Sequence, residues 1–260
     1  MPTISLTSLL HVARAGLRAH QTGVDVTANN IANVNTAGFR RSRAEFHELL
    51  NEELEAPPEG SGRTSGQGAG TVLVDNQRLF NQGNIEQTNF DWDLAIQGDG
   101  FFQVQLADGS TAYTRDGSFR LDGEGRLVNA NGYFFSPAIT IPPDAEDTMI
   151  NSDGTVMVRR RGETEPQIVA TLQVARFTNS AGLEKIGETL FQPSDSSGQP
   201  QVGQPGTGGR GQILSQAIEK SNVDLSEEIV NLINAQRAYS LMVRAMGTSD
   251  EMLSLANQLR

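Results

Sequence analysis

The chain contains no cysteine, which excludes disulfides, thiol nucleophiles and cysteine-ligated metals and leaves its redox compartment open. Aromatic residues make up 6% of the 260 positions and hydrophobic residues 37%, both low for a compact enzyme of this length. No run approaches the roughly 18 consecutive apolar residues that a membrane-spanning helix needs. Lysine and arginine number 20 against 31 aspartate and glutamate, and the net charge of −11 argues against nucleic acid or an anionic membrane as the main partner; neither nucleic acid binding nor membrane insertion is expected. The three histidines, His11, His20 and His47, lack the i, i+3 or i, i+4 spacing by which a helix face grips a metal. "MPTISLTSLLHVARAGLRAH" at the N-terminus lacks the basic start, apolar block and small-residue cleavage site of a secretory signal, which taken alone reads as cytoplasmic.

Motifs that carry chemistry are also missing. "DWDLAIQGDG" (91–100) superficially suggests a calcium loop, but Ala95 and Ile96 stand where an oxygen ligand and a glycine are required. "GQGAG" (66–70) has neither the preceding strand nor the following helix of a dinucleotide fingerprint. There is no G-x-S-x-G elbow. The basic clusters at Arg40–Arg43 and Arg159–Arg161 are short and lack interleaved aromatics, so a solvated face or a salt bridge to an acidic neighbour is expected of them. No catalytic residue, metal site or cofactor is expected.

Helical periodicity, by contrast, is strong at both ends. Leu6, Leu10, Leu17, Val24 and Ile31 recur at steps near three and four, with Ala13 and Ala28 between them, and predict a helix about 45 Å long. Leu225, Ile229, Leu232, Tyr239, Val243, Met246 and Leu253 fall in a four-three alternation over 224–259, about 50 Å of helix. Asp224 with Glu227 resembles a capping box at its start. Two long helices of matched length are expected to pair. Leu9, Val12, Val26, Ile233, Met242 and Leu255 lie off these stripes, and such surplus apolar surface marks contact with other chains.

Between the helices the pattern changes. From Ile85 to Phe191, short β-type runs are broken at Asp108-Gly109, Asp122–Gly125, Asp153-Gly154 and Arg161-Gly162, each a hairpin signal. Proline- and glycine-rich stretches, "EAPPEGSGRTSGQGAG" and "PSDSSGQPQVGQPGTGGRG", flank this body. The expected fold class is α+β: long N- and C-terminal helices paired as a coiled coil, with a central antiparallel β domain. In this division 1–35 and 221–260 form the terminal helical domain, 36–84 and 203–220 extended connections, and 85–202 the β domain.

"ANNIANVNTAGF" (28–39) lies at the end of the first helix. Asn33, Asn35 and Gly38 suit a helix stop and tight turn, because asparagine and glycine adopt positive φ most easily and asparagine bonds freed backbone groups. Phe39 would anchor the new direction. Asn29 and Asn30 lie a turn earlier, where buried amides at a helix contact would fix register.

"ANNIANVNTAGFRRSRAEFHELL", "QGNIEQTNFDWDLAIQGDGFFQV", "GSTAYTRDGSFRLDGEGRLVNANGYF" and "SNVDLSEEIVNLINAQRAYSLMVRAMGTSDEMLSLANQL" together resemble, in order and over nearly the whole chain, the bacterial flagellar axial proteins of rod and hook. "LQVARFTNSAGLEKIGETLFQPSDSSG" and the length are most similar to its distal rod branch, with proximal rod and hook-type paralogues as the alternative and a cell-wall hydrolase as a remote one. The resemblance implies a non-enzymatic structural subunit that assembles helically with its own copies into a hollow, torque-transmitting shaft. Its terminal helices would form an inner tube and its β domain an outer layer. It also implies proximal rod and hook proteins as partners, P- and L-ring proteins where a cell has them, and passage through the flagellar export apparatus without a cleaved signal to the basal body in the cell envelope. In that branch the stretch corresponding to about Glu48–Gly70 wedges between subunits; here it is shorter and rich in proline and glycine.

Overall fold

Asparagine and glycine punctuation, Asx turns and two periodic ends produce a chain that folds as two compact units, formed by residues 1–32, 42–78 and 224–260, and by 33–41 with 79–223. The computed structural model describes residues 6–48, 71–163, 165–187 and 189–258.

In chain order the elements are α1 (Leu6–Ala32), β1 (Ser42–Glu48), β2 (Thr71–Arg78), β3 (Ile85–Gln87), β4 (Leu94–Gln97), β5 (Phe102–Gln105), β6 (Thr111–Thr114), β7 (Phe119–Leu121), β8 (Leu127–Asn129) and β9 (Phe134–Phe135). There follow β10 (Ala145–Ile150), β11 (Thr155–Arg160), β12 (Gln167–Thr171), β13 (Val174–Arg176), β14 (Glu184–Lys185), β15 (Leu190–Gln192), β16 (Gln201–Gly203), β17 (Gln212–Ser215), β18 (Ala217–Glu219) and α2 (Leu225–Gln258).

The first unit holds α1, α2 and the antiparallel β1–β2 pair, whose register runs from Ser42↔Arg78 to Glu48↔Thr71 with a bulge between Glu45 and Phe46. The expectation of a long coiled-coil pair is corrected here. Of the α2 positions assigned to the seam, Leu225, Ile229, Tyr239 and Val243 are 44%, 43%, 37% and 45% exposed, so they do not line a closed interhelical core. Contacts between the helices include polar and small residues. Asn30 on α1 donates to Glu228 on α2 at 3.1 Å, and a β-carbon on Gly16 would come within 2.6 Å of the Met242 methyl. Periodicity identified the helices but not the face that packs, because α2 carries apolar residues on more than one face.

The second unit is almost entirely β. A seven-stranded antiparallel sheet in the order β14-β15-β6-β5-β9-β8-β7 forms its centre, with a three-stranded β10-β11-β12 sheet and the pairs β13-β16, β17-β4 and β18-β3 around it. β5 and β6 are buried on both faces. Phe102 and Val104 enter a core with Phe119, Leu127, Phe135 and Val156, while Tyr113 enters a second cluster with Phe101, Phe177 and Phe191. The few aromatics are concentrated there in edge-to-face contacts, as in Phe102–Phe119 at 5.3 Å and Tyr113–Phe177 at 4.9 Å between centroids. The hairpin signals correspond to real turns. Asp108, Asp122 and Asp153 each accept backbone N–H groups two residues on, from Ser110, Glu124 and Thr155. Segments 36–84 and 203–220, expected as connections, carry β1, β2, β16 in part, β17 and β18. Of the stretch 48–70, all but the end of β1 lies outside the described residues.

Candidate assembly interface

α2 begins where the sequence places a cap. The Asp224 carboxylate accepts the backbone N–H groups of Ser226 and Glu227 at 2.8 and 3.2 Å, satisfying two of the donors a helix start leaves free. From there the helix presents a broad apolar surface: Val230, Ile233 and Leu241, at 56%, 43% and 63% exposure, join Leu225, Ile229 and Val243. Leu232 and Met246 are half-buried, as are Leu17, Val24 and Ile31 on α1; the side chains of Leu6, Leu10 and Leu253 lie outside the described residues.

The end of α1 is fixed by side chains. Asn30 is buried to 1%, donating to the Ser42 carbonyl at 2.8 Å and accepting the Ser42 N–H at 2.9 Å. Asn29, its neighbour, is exposed. Past the helix the Asn33 side chain accepts from the Thr36 hydroxyl at 3.2 Å, and Asn35 is exposed. The left-handed residue of the turn is Gly38, at φ +67°. The α-hydrogen that a side chain would replace faces the Arg115–Asp116 backbone so closely that a β-carbon would lie 2.3 Å from the Asp116 nitrogen. Phe39 is buried, with the Lys185 ammonium 5.6 Å from its ring centre.

Sequence reading missed the network this turn joins. Glu219 is fully buried. It pairs with Arg40 at 2.8 Å and Arg115 at 3.1 Å, and accepts the Gly83 N–H at 2.8 Å. Its carbonyl accepts the Gly38 N–H at 2.8 Å. Burial pulls the Arg115 pKa down to about 10, with Glu219 opposing the shift. Nearby, Asn222 accepts the Arg41 N–H at 2.7 Å and donates to Leu79 and Asn81 carbonyls. The departing and returning segments of the chain are thus bolted together inside the second unit. Arg40 of the first basic cluster belongs to this network through its guanidinium and Arg41 joins it through its backbone N–H, whereas Arg43 pairs with Glu45 on a solvated face.

Among the described residues the surface grooves of the second unit include two formed by its turns. One, about 590 Å³, is lined by Trp92, Asp122, Glu124, Glu146 and Asp147 among others. Arg126 pairs with Asp122 and Glu124, and Arg159 and Arg161 with Asp147 and Glu146. Hydrogen bonds from Arg126 hold the Asp122 carboxyl below its ordinary range, the opposite of what a general acid requires. The other groove, about 440 Å³, carries no charged side chain. Among the described residues no cluster of histidine and carboxylates is arranged to hold a metal, and no helix is long and apolar enough to cross a membrane.

Comparison with known proteins shows which family the chain belongs to. Residues 10–40 match the flagella basal body rod protein model, 95–158 the flagellar hook protein FlgE/F/G D1 domain, and 214–259 the flagellar basal body rod FlgEFG protein C-terminal model. The flagellar basal-body rod protein FlgG of Buchnera aphidicola subsp. Baizongia pistaciae is 42% identical over 94% of this chain and 96% of its own length. That of Borreliella burgdorferi is 41% identical over 96% of this chain and 98% of its own. The chain belongs to the flagellar basal-body rod protein family. It is a structural subunit of the flagellar basal body, not an enzyme, and its family assembles with other axial components of the flagellum. The flagellar hook protein FlgE of Helicobacter mustelae, 42% identical, matches over 46% of this chain and 28% of its own length. The rod assignment, with the distal rod branch nearest, therefore stands over the hook-type alternative.

Proposed function

We propose that copies of this rod subunit stack helically into a hollow shaft that carries torque from motor to hook. The helical unit forms the inner tube and the β unit the outer layer. The subunit interface comprises Leu6, Leu10, Leu17, Val24 and Ile31 on α1 and Leu225, Ile229, Leu232, Tyr239, Val243, Met246 and Leu253 on α2. Asn33, Asn35, Gly38 and Phe39 redirect the chain from one layer to the other. Proximal rod and hook proteins adjoin the ends, P- and L-ring proteins surround the shaft where present, and the subunits reach the cell envelope through the flagellar export apparatus.

The observation that carries this reading is the row Leu225, Ile229, Ile233 and Val243, each more than two-fifths exposed on one helix. Covering the exposed remainder of four such side chains contributes roughly 1 kcal/mol each, a little under half the value of full burial, and another chain would supply that cover. A cryo-electron structure of the assembled rod tests it. These four side chains are expected against neighbouring copies, and finding them facing bulk water in the rod would refute the interface.

A further inference from the structure

Phe90, at 71%, is the most exposed large hydrophobic side chain among the described residues, yet the loop that presents it is tightly built. The Asp93 N–H donates to the Phe90 carbonyl at 3.2 Å, and the Thr88 hydroxyl to the Asp93 carboxylate at 2.7 Å. The Gln216 carbonyl accepts the Thr88 N–H at 2.7 Å, and its amide donates to Asp91 at 2.8 Å. Gln216 does this at φ +56°, the one left-handed residue other than glycine among those described, a conformation that costs energy and persists only where its surroundings impose it. Trp92, two positions on, packs on the main core. A ring carried on a backbone fixed in this way has part of its ordering cost already met, a property that suits an interface anchor.

We propose that Phe90 is the knob of a contact between copies of this chain, seated in the uncharged groove of another copy between the β5–β6 and β8–β9 turns. This rests on the reading that identical copies assemble. Leu106, Ala107, Tyr133 and Phe134 line that groove of about 440 Å³, offering ring edges and aliphatic carbon to a phenyl group. No charged side chain lines it; the Arg126 guanidinium that overlies the Phe134 ring at 4.4 Å is already paired with Asp122 and Glu124. The 590 Å³ groove is lined by carboxylates, which a phenyl ring would desolvate without compensation. The Met149–Met157–Ile168 row across β10, β11 and β12 lies beside the Arg159–Asp147 ion pair and meets the same objection. Knob and groove occupy different places on one molecule, so the contact is head-to-tail and propagates instead of closing a dimer.

A photochemical cross-link tests the contact directly. The full chain carrying p-benzoylphenylalanine at position 90, which keeps an aromatic ring there, is produced in flagellated cells and irradiated, and cross-linked basal bodies are mapped by mass spectrometry. A second chain carries the probe at Tyr239 on α2 and reports assembly as such. The expected result is a dimer from position 90 with its adduct at residues 105–109 or 131–134 of another copy, reduced at least tenfold by Ala107→Arg. If position 239 cross-links copies while position 90 gives no dimer, or maps to the carboxylate groove or the Met149–Ile168 row, the knob is refuted and the assembly reading stands. If neither position cross-links copies, both are refuted.

Discussion

Glu219 shows how one side chain can decide whether the two ends of a chain are held together. It is the single carboxylate between two buried guanidiniums, Arg40 and Arg115, and removing one partner of such a cluster leaves charge buried and uncompensated. Glu219→Ala is expected to destabilise the protein by about 3–5 kcal/mol, read as a lower midpoint in denaturant unfolding; a change within about 0.5 kcal/mol would show that solvent reaches the cluster. Asp116, against which Gly38 packs, gives a pH-dependent counterpart. Burial raises its pKa above the ordinary 3.8, with Ser118 hydrogen bonds opposing the shift. A raised carboxyl pKa contributes stability below the unfolded-state value and loses it as pH rises through the folded-state value. Asp116→Asn keeps an acceptor for Ser118 and removes the buried charge, so its Tm is expected to exceed the parent's at pH 7 and to match it near roughly pH 3. A lower Tm at pH 7 would refute this. Little of this network was legible in the sequence: a salt bridge was one of two readings of the basic run that holds Arg40, but Glu219 sits in "SQAIEKSN" like any strand glutamate and nothing marked it as the partner. Only the helix stop, with Gly38 at positive φ, announced itself, because turn geometry is local whereas an ion pair spanning 179 residues is not.

Among the elements, the hairpins were read correctly because Asp-Gly turns encode their own backbone. The strand order was not, since β15 pairs with β6 and β18 with β3 across long separations that local pattern cannot see. α2 is the instructive case. A four-three alternation was legible, but it marks a face that remains exposed, while Glu228 and Gly16 lie on the faces that meet within the chain. A helix that serves both its own chain and other copies carries two apolar stripes, and sequence does not label them. The consequence is measurable. Ile229→Asp and Leu225→Asp, at exposed positions, are expected to change monomer stability by no more than about 0.5 kcal/mol while preventing incorporation into basal bodies. Thermal unfolding of the purified chain and immunoblots of isolated basal bodies check the two halves. A strongly destabilised monomer would instead place these side chains inside the chain's own core.

The molecule as a whole divides its stability unequally. The second unit buries Phe102, Val104, Leu172, Val174 and Phe191 to 1% exposure or less, so its central strands should open only on global unfolding. α2 buries little along its length, and a helix without a packed face is marginal in water. In the assembly proposed above, neighbouring copies would supply what α2 lacks, and the ordering of the helix would be coupled to assembly itself. Hydrogen exchange on the dilute chain is expected to show protected amides in β5, β6 and β15 alongside fast exchange over Leu232–Thr248. In assembled rods the same α2 amides should slow by roughly a hundredfold or more, equivalent to about 2.7 kcal/mol, while those of β5 and β6 change little. Equal protection of α2 in the dilute chain and in the rod would mean that the helix carries its own stability. Subunits would then join as preformed rigid bodies, and the exposed row on α2 would contribute affinity without any coupled ordering.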